Sequence, residues 1–302
     1  MFPFPALHPA ERIATGYSWT ECPRWHDGHF YFSDMYNRRV IRLNEDGRAE
    51  TFLDLGGREG VDGAEVVVAG TGFLPDGRML VNSMFEKLVL VYDGRNVEVH
   101  ADLRGLAVGP INDMVVDAAG RAYVTQLGCD LWRGEPKRDS FIILVGPDGA
   151  ARDLTEAGEI AGANGIALSA DGRTLVTAAA FANQVLAFDV AEDGSLGNRS
   201  LFAEVDILPD GLCLDAEGGA WVAQPGGGGA VRVVDGGLVT DRVVVDPALA
   251  GRSTACGLGG PGRRTLFLCC GFEVYDFGKS RREGRGSIWA VRVPVGAGAT
   301  RP

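Results

Sequence analysis

One pattern recurs along this chain and limits what it can fold into. It runs as an acid or amide, a small or acidic residue, apolar alternation, an Asp-x-x-Gly or Asp-Gly turn, and a second apolar run. Leu208-Pro-Asp-Gly-Leu-Cys-Leu-Asp-Ala-Glu-Gly-Gly-Ala-Trp-Val-Ala223 is one copy. Asn164-Gly-Ile-Ala-Leu-Ser-Ala-Asp-Gly-Arg-Thr-Leu-Val-Thr-Ala178 and Asn112-Asp-Met-Val-Val-Asp-Ala-Ala-Gly-Arg-Ala-Tyr-Val-Thr125 are two more. With the unit heads set at Glu21, Thr71, Asn112, Asn164, Asp210 and Cys256, the spacings are 50, 41, 52, 46 and 46 residues by subtraction. A period in the forties, with several short strands per unit and almost no helical periodicity, is the mark of a β-propeller blade. A β-sandwich would show strands every 8 to 12 residues without self-similarity at this longer period.

The expectation is therefore an all-β, six-bladed β-propeller with four-stranded blades around a central channel. It forms one domain over 1–302, and the Glu11–Tyr17 strand completes the last blade so that no edge stays open. Residues 1–10, with three prolines, read as an irregular arm; Asn44-Glu-Asp-Gly47 reads as a hairpin turn and 294–302 as a frayed tail. Glycine, at 44 of 302 residues, falls mostly in Asp-Gly and Gly-Gly pairs between apolar runs, as many tight turns require.

Composition narrows the function. A formal charge of −11 disfavours nucleic acid and anionic membranes as partners and is compatible with binding a cation. No apolar run approaches the ~20 residues of a membrane span. The six cysteines lack C-x-x-C spacing and the N-terminus lacks a signal-peptide layout, so buried reduced thiols in a cytoplasmic protein, monomeric or a small homo-oligomer, are expected.

In a propeller the innermost strands line the channel, so equivalent strand starts converge at one mouth. Glu21, Asn112, Asn164 and Asp210 would bring two carboxylates and two amide oxygens together, a hard donor set suited to Ca²⁺, Mg²⁺ or Mn²⁺. The competing reading of each head is a turn residue capping its own backbone. That role is already filled within the units by Asp117, Asp171 and Asp215, and Asp113 reads as a backbone brace. A cation at this mouth could polarise a carbonyl or phosphoryl oxygen while Asp210 deprotonates water. The chain has no G-x-S-x-G or H-E-x-x-H motif, and the Gly257–Gly262 match to a dinucleotide loop precedes a strand and contains Pro261.

The ordered signatures Glu21-Cys-Pro-Arg-Trp25, Asn112-Asp113 with Asp117-x-x-Gly120, Asn164-Gly165 with Asp171-Gly172, Pro209-Asp-Gly211 with Asp215-x-x-Gly218 and Trp221-Val222, and Gly259-Gly260 resemble the senescence marker protein 30, gluconolactonase and luciferin-regenerating-enzyme family of six-bladed propellers. They span about residues 19 to 293. The resemblance implies one divalent cation, often calcium, held by Glu21, Asn164 and Asp210, with Asn112 near it or its substrate. Mg²⁺, Mn²⁺ and Zn²⁺ remain alternatives. It also implies that Asp210 accepts the proton during hydrolysis of a small-molecule lactone.

Sugar lactonases of the family typically carry Arg two residues before the Asn-Asp pair, where this chain has Pro110. Pro offers neither charge nor N–H, and Val124-Thr-Gln-Leu-Gly128 also departs from the family's usual stretch. A less hydroxylated lactone ester is therefore expected. Asn112, Gln126, Trp19 and Phe181 are the expected substrate contacts, and Met84, Phe85, Leu127, Trp132 and Phe272 are further candidates for an apolar mouth. A phosphotriesterase-type hydrolase and a non-catalytic binding propeller are the alternatives.

Overall fold

Short runs such as Phe30-Tyr-Phe-Ser-Asp34 and Leu88-Val-Leu-Val-Tyr92 alternate or sit fully apolar between Gly-bearing turns, a pattern that favours brief, sharply connected strands. In the computed structural model, which describes residues 4–44 and 48–301, these strands form six sheets among the described residues. The expected turn at Asn44–Gly47 falls largely outside the described residues.

The innermost strands are Thr20–His26, Val68–Phe73, Ile111–Val116, Ala163–Leu168, Leu212–Leu214 and Arg252–Gly259. Each packs beside the next, and the last returns to the first. The sheets are thus the blades of a closed six-bladed propeller. The apolar core is divided accordingly, with one buried cluster between each pair of successive blades. Trp221, Tyr123, Phe32 and Leu80 are among the side chains wholly lost from solvent in these layers.

Glu11–Tyr17 pairs antiparallel with Gly286–Arg292 as the outermost strand of the sixth blade, so chain segments from opposite ends of the sequence close the ring. The arm expected to be irregular over 1–10 contains a strand. Ala6–Pro9 adds in parallel to Val239–Val244 at the outer edge of the fifth blade, where Pro9 costs no central ladder bond. His8 Nε2 lies 2.8 Å from Asp241 Oδ1 and pins it.

The tail expected to fray from 294 is also packed. Ala297 is 1% exposed, Thr300 Oγ1 donates to the Leu214 carbonyl at 2.7 Å, and Arg301 pairs with Leu168. Backbone bonds from Ala216 to Gly296 and from Ala297 to Arg263 tie this segment to two blades. The hydroxyl and small side chains that suggested a flexible end are what let it lie flat on the ring.

The innermost strands enter the channel through β-bulges, at Glu21/Arg24, Val68/Thr71, Ile111/Met114, Ala163/Ile166 and Ser253/Ala255. An added Cβ on Gly165 would stand 2.5 Å from the Asp210 carbonyl, one on Gly211 2.3 Å from Ala255 Cβ, and one on Gly70 2.6 Å from the Asn112 carbonyl. Glycine follows these heads because adjacent blades touch backbone to backbone there. These contacts place Ala69 and Thr254 level with Asn112, Asn164 and Asp210, which corrects Thr71 and Cys256 as unit heads: each lies two residues further down the channel. Ala69 and Thr254 offer neither an acid nor an amide to mark the strand entrance, so a constant-period alignment misplaces these two heads.

Deleting the segment through Tyr17 is expected to lower Tm by on the order of 10 °C or more, because it opens the ring at its seam; an unchanged melting curve would contradict closure by this strand. Gly165→Ala should cost about 1–3 kcal/mol by forcing two blades apart, whereas Gly197→Ala, with nothing within 4 Å of the new Cβ, should leave denaturant stability within about 0.5 kcal/mol of the parent.

Candidate active site at the channel mouth

Glu21, Asn112, Asn164 and Asp210 converge on one cavity of about 210 Å³ at the mouth of the channel. Its walls carry Trp19, Met84, Leu127, Trp132 and Phe181 from the sequence expectation, together with Tyr36 and Leu208. The walls are apolar and the floor is acidic.

The floor carries little compensation for its charge. Glu21 and Asp210 are 8% and 9% exposed, and no Lys, Arg or His is paired with either among the described residues. Burial raises the Glu21 carboxyl well above its usual range, and the charges of Asp210 and Asp113 raise it further. The Cys22 amide, 3.1 Å from Glu21 Oε2, and the Trp19 side chain pull the other way. Cys22 holds this arrangement with φ at 49°, in the left-handed region where a non-glycine residue stores strain.

Burial pushes Asp210 up to about 8; a hydrogen bond with the Asn164 side chain and one from the Gly211 amide oppose this, while Asp113 adds to it. Asn164 therefore touches the acid directly. Asp113 itself is neutralised from below: Arg24 Nη2 donates to Asp113 Oδ1 at 2.5 Å, and the rest of its fork donates to the carbonyls of Thr71, Pro23 and Met114. The Met114 amide also donates to Asp113 Oδ1 at 2.8 Å. Asp113 is the brace expected from the sequence, with Arg24 as a partner that the sequence did not single out.

The turn acids behave as turn acids. Asp117 Oδ1 accepts from Ala119 and Arg121 amides, and Asp215 Oδ1 from Glu217 and Gly219 amides. Asp171 accepts from the Arg173 amide.

Gln126 does not reach the cavity, which corrects its place among the substrate contacts. It is fully buried, its Oε1 accepts from the Val108 and Gly109 amides at 2.7 and 3.2 Å, and its Nε2 donates to the Phe141 carbonyl. Its amide thus ties the loop that carries Pro110 to the segment at Phe141. Phe85 and Phe272 are also outside the cavity lining: Phe85 meets Trp132 edge-on at 5.2 Å, and Phe272 lies under Arg285.

An aromatic roof closes one side of the mouth. Trp132 Nε1 and Tyr36 Oη both donate to the Val274 carbonyl, at 2.7 and 2.9 Å, and Tyr36 stacks on Phe277 at 4.2 Å. Tyr36, Leu208 and Arg252 were missed from the sequence. Arg252 stands two residues before Thr254, so a correct head for the sixth blade would have drawn attention to it.

Among the described residues no group of three or more His, Cys, Asp and Glu side chains is placed to hold a metal. A cation at this mouth would need the amide oxygens of Asn112 and Asn164 beside the two acids. The donor chemistry fits a hard divalent ion, since it is all oxygen and carries buried acidity without a cationic partner. The six cysteines are free and buried, and among the described residues no helix is long and apolar enough to cross a membrane.

Comparison with known proteins shows the family and the fold. Human regucalcin is 27% identical over 189 residues, covering 60% of this chain and 61% of its own length, so the match spans about three fifths of the regucalcins. An uncharacterized protein of Sulfolobus acidocaldarius is 26% identical over 269 residues, covering 85% of this chain and 89% of its own. Among solved structures, a calcium-binding regucalcin from Agrobacterium tumefaciens superposes with a TM-score of 0.78 at 19% identity over 97% of both chains. A gluconolactonase from Xanthomonas campestris gives 0.73 at 20%, over 94% of this chain and 89% of that one. The model of the SMP-30/gluconolactonase/LRE-like region matches residues 19–271, and the chain belongs to that family.

Proposed function

We propose that the protein is a divalent-metal-dependent hydrolase that opens a lactone, with Asp210 as the base. The observation that carries this reading is the floor itself: two buried, uncompensated carboxylates, Glu21 and Asp210, meet two amides beneath an apolar cavity. Membership of a family that includes gluconolactonases supports lactone chemistry, and the calcium-binding relative supports Ca²⁺ as the first cation to test.

Glu21, Asn164 and Asp210 would hold the cation, with Asn112 beside it. A bound divalent ion supplies Lewis-acid polarisation of the ester carbonyl and a lowered pKa for water. The chain's own groups do the rest. Asp210 takes a proton from the attacking water as its oxygen joins the carbonyl carbon. The ring C–O bond then breaks, and the proton passes to the departing alkoxide. The Asn164 hydrogen bond favours the ionised form of Asp210 and aims it, and the Asn112 amide would orient the ester. Trp19, Leu127 and Phe181 exclude water from the apolar part of the substrate.

Loss of the family's Arg at Pro110 removes a hydroxyl-binding group, so the preferred lactone is less hydroxylated than an aldonolactone. Hydrolysis of alkyl, aryl and sugar lactones followed by pH-stat, after chelation and readdition of each metal, tests the reading. Restored turnover, greatest on the less polar lactones, is expected; no turnover on any lactone with any cation would refute it. Asp210→Asn should lose on the order of 10²-fold or more in kcat while remaining folded, and near-parental kcat would remove Asp210 as the base.

The acid pair also sets a pH dependence in the chelated protein. The folded state holds a proton on Asp210 up to about pH 8, while the unfolded chain releases it near the usual carboxylate value of about 4. Between these limits the folded state binds more protons, so stability falls as pH rises. With chelator present, Tm should decline from pH 5 to pH 8.5, and a divalent cation should raise Tm more at pH 8.5 than at pH 5. A cation effect that is equal at both pH values would contradict a site built on this pair.

A further inference from the structure

We infer that Arg252 makes the site selective for substrates that carry a carboxylate on an apolar body, an inference that rests on the hydrolase reading and names its substrate class. Arg252 opens the innermost strand of the sixth blade and is the only Lys or Arg lining the cavity among the described residues. It is exposed, and its side chain has no carboxylate partner, hydrogen bond or ring contact among them.

Two acids close in sequence to the lining residues Tyr275 and Trp132 are committed elsewhere. Glu273 pairs with Lys279 at 3.0 Å and accepts from the Tyr275 and Asp276 amides, and Glu135 pairs with Arg138 at 3.1 Å. The charge of Arg252 is thus open to a ligand.

Two further cations stand over aromatic rings. Lys137 sits 4.6 Å over the ring of Phe181, a cavity-lining residue, and Arg285 lies 3.4 Å over Phe272. Phe272 in turn packs against Gly251, 2.9 Å from where a Cβ would stand next to Arg252. Neither cation has an acidic partner among the described residues. On a chain of net charge −11, a mouth lined by the unpaired Arg252 and floored by acids imposes an order on its ligand. An ester seated over Glu21 and Asp210 meets an aromatic wall, and a carboxylate at its far end reaches the planar fork of Arg252. A guanidinium favours a carboxylate over a neutral amide through paired charge-assisted hydrogen bonds. The apolar wall would disfavour a ligand that is charged along its whole length.

Binding can be measured without turnover, since Trp19 and Trp132 line the cavity and report on it by fluorescence. The probes are 4-phenylbutyrate and the neutral amide of the same shape, titrated into the full chain with Ca²⁺ present. Wild type should bind the carboxylate on the order of fivefold to tenfold more tightly than the amide, and Arg252→Gln should bring the two affinities together. Equal affinities in wild type, or saturable binding of neither probe, would overturn the inference. A preference that survives in Arg252→Gln would overturn it as well, by assigning the carboxylate to the channel floor. Failure of lactone hydrolysis with this selectivity intact would instead count against the hydrolase reading alone.

Discussion

The structure depends on the close approach of backbones around the channel. Gly70, Gly165 and Gly211 leave room for this at the level where Asn112, Asp210 and Ala255 cross from the neighbouring blade. The same contact that packs the ring brings Glu21, Asn112, Asn164 and Asp210 to one mouth, although successive members are 46 to 91 residues apart in sequence by subtraction. Fold and site are therefore one constraint. A larger residue after a head would displace a polar group along with a blade.

Electrostatics at the mouth follow from an imbalance in pairing. Of the acids Glu21, Asp113 and Asp210, Asp113 alone is paired with a guanidinium among the described residues, that of Arg24, which also donates to three carbonyls. Burial raises the proton affinity of both acids left over, and the charge of Asp210 raises that of Glu21 further. A divalent cation would relieve this without bringing in a bulky side chain, and the amides of Asn112 and Asn164 add oxygen donors without adding repulsion. The aromatic roof over the floor keeps the opening narrow and apolar.

Most of the ring was legible because its repeat is written in local chemistry: Asp117, Asp171 and Asp215 each cap the turn that their pattern announces. The four polar heads were legible for the same reason. Thr71 and Cys256 were misassigned because the true entrances, Ala69 and Thr254, carry neither an acid nor an amide to mark them. The anchoring of 294–301 and the strand at Ala6–Pro9 could not be read, since both rest on long-range pairing with single edges and carry no repeat. Gln126 follows an apolar run as a substrate contact might, and only the structure shows its amide consumed by Val108, Gly109 and Phe141. The cavity roof depends on the Val274 carbonyl, to which Tyr36 and Trp132 come from two distant blades; no spacing rule connects them.

The most direct test of the central claim, that the buried acid pair is a cation site, is calorimetric titration of the chelated protein with Ca²⁺ in two buffers of different ionisation enthalpy, repeated on Glu21→Gln. One ion per chain, bound with proton release at pH 7 and lost or greatly weakened in Glu21→Gln, is the predicted result. Undiminished binding in Glu21→Gln, or no binding of any divalent cation to the parent chain, would contradict it.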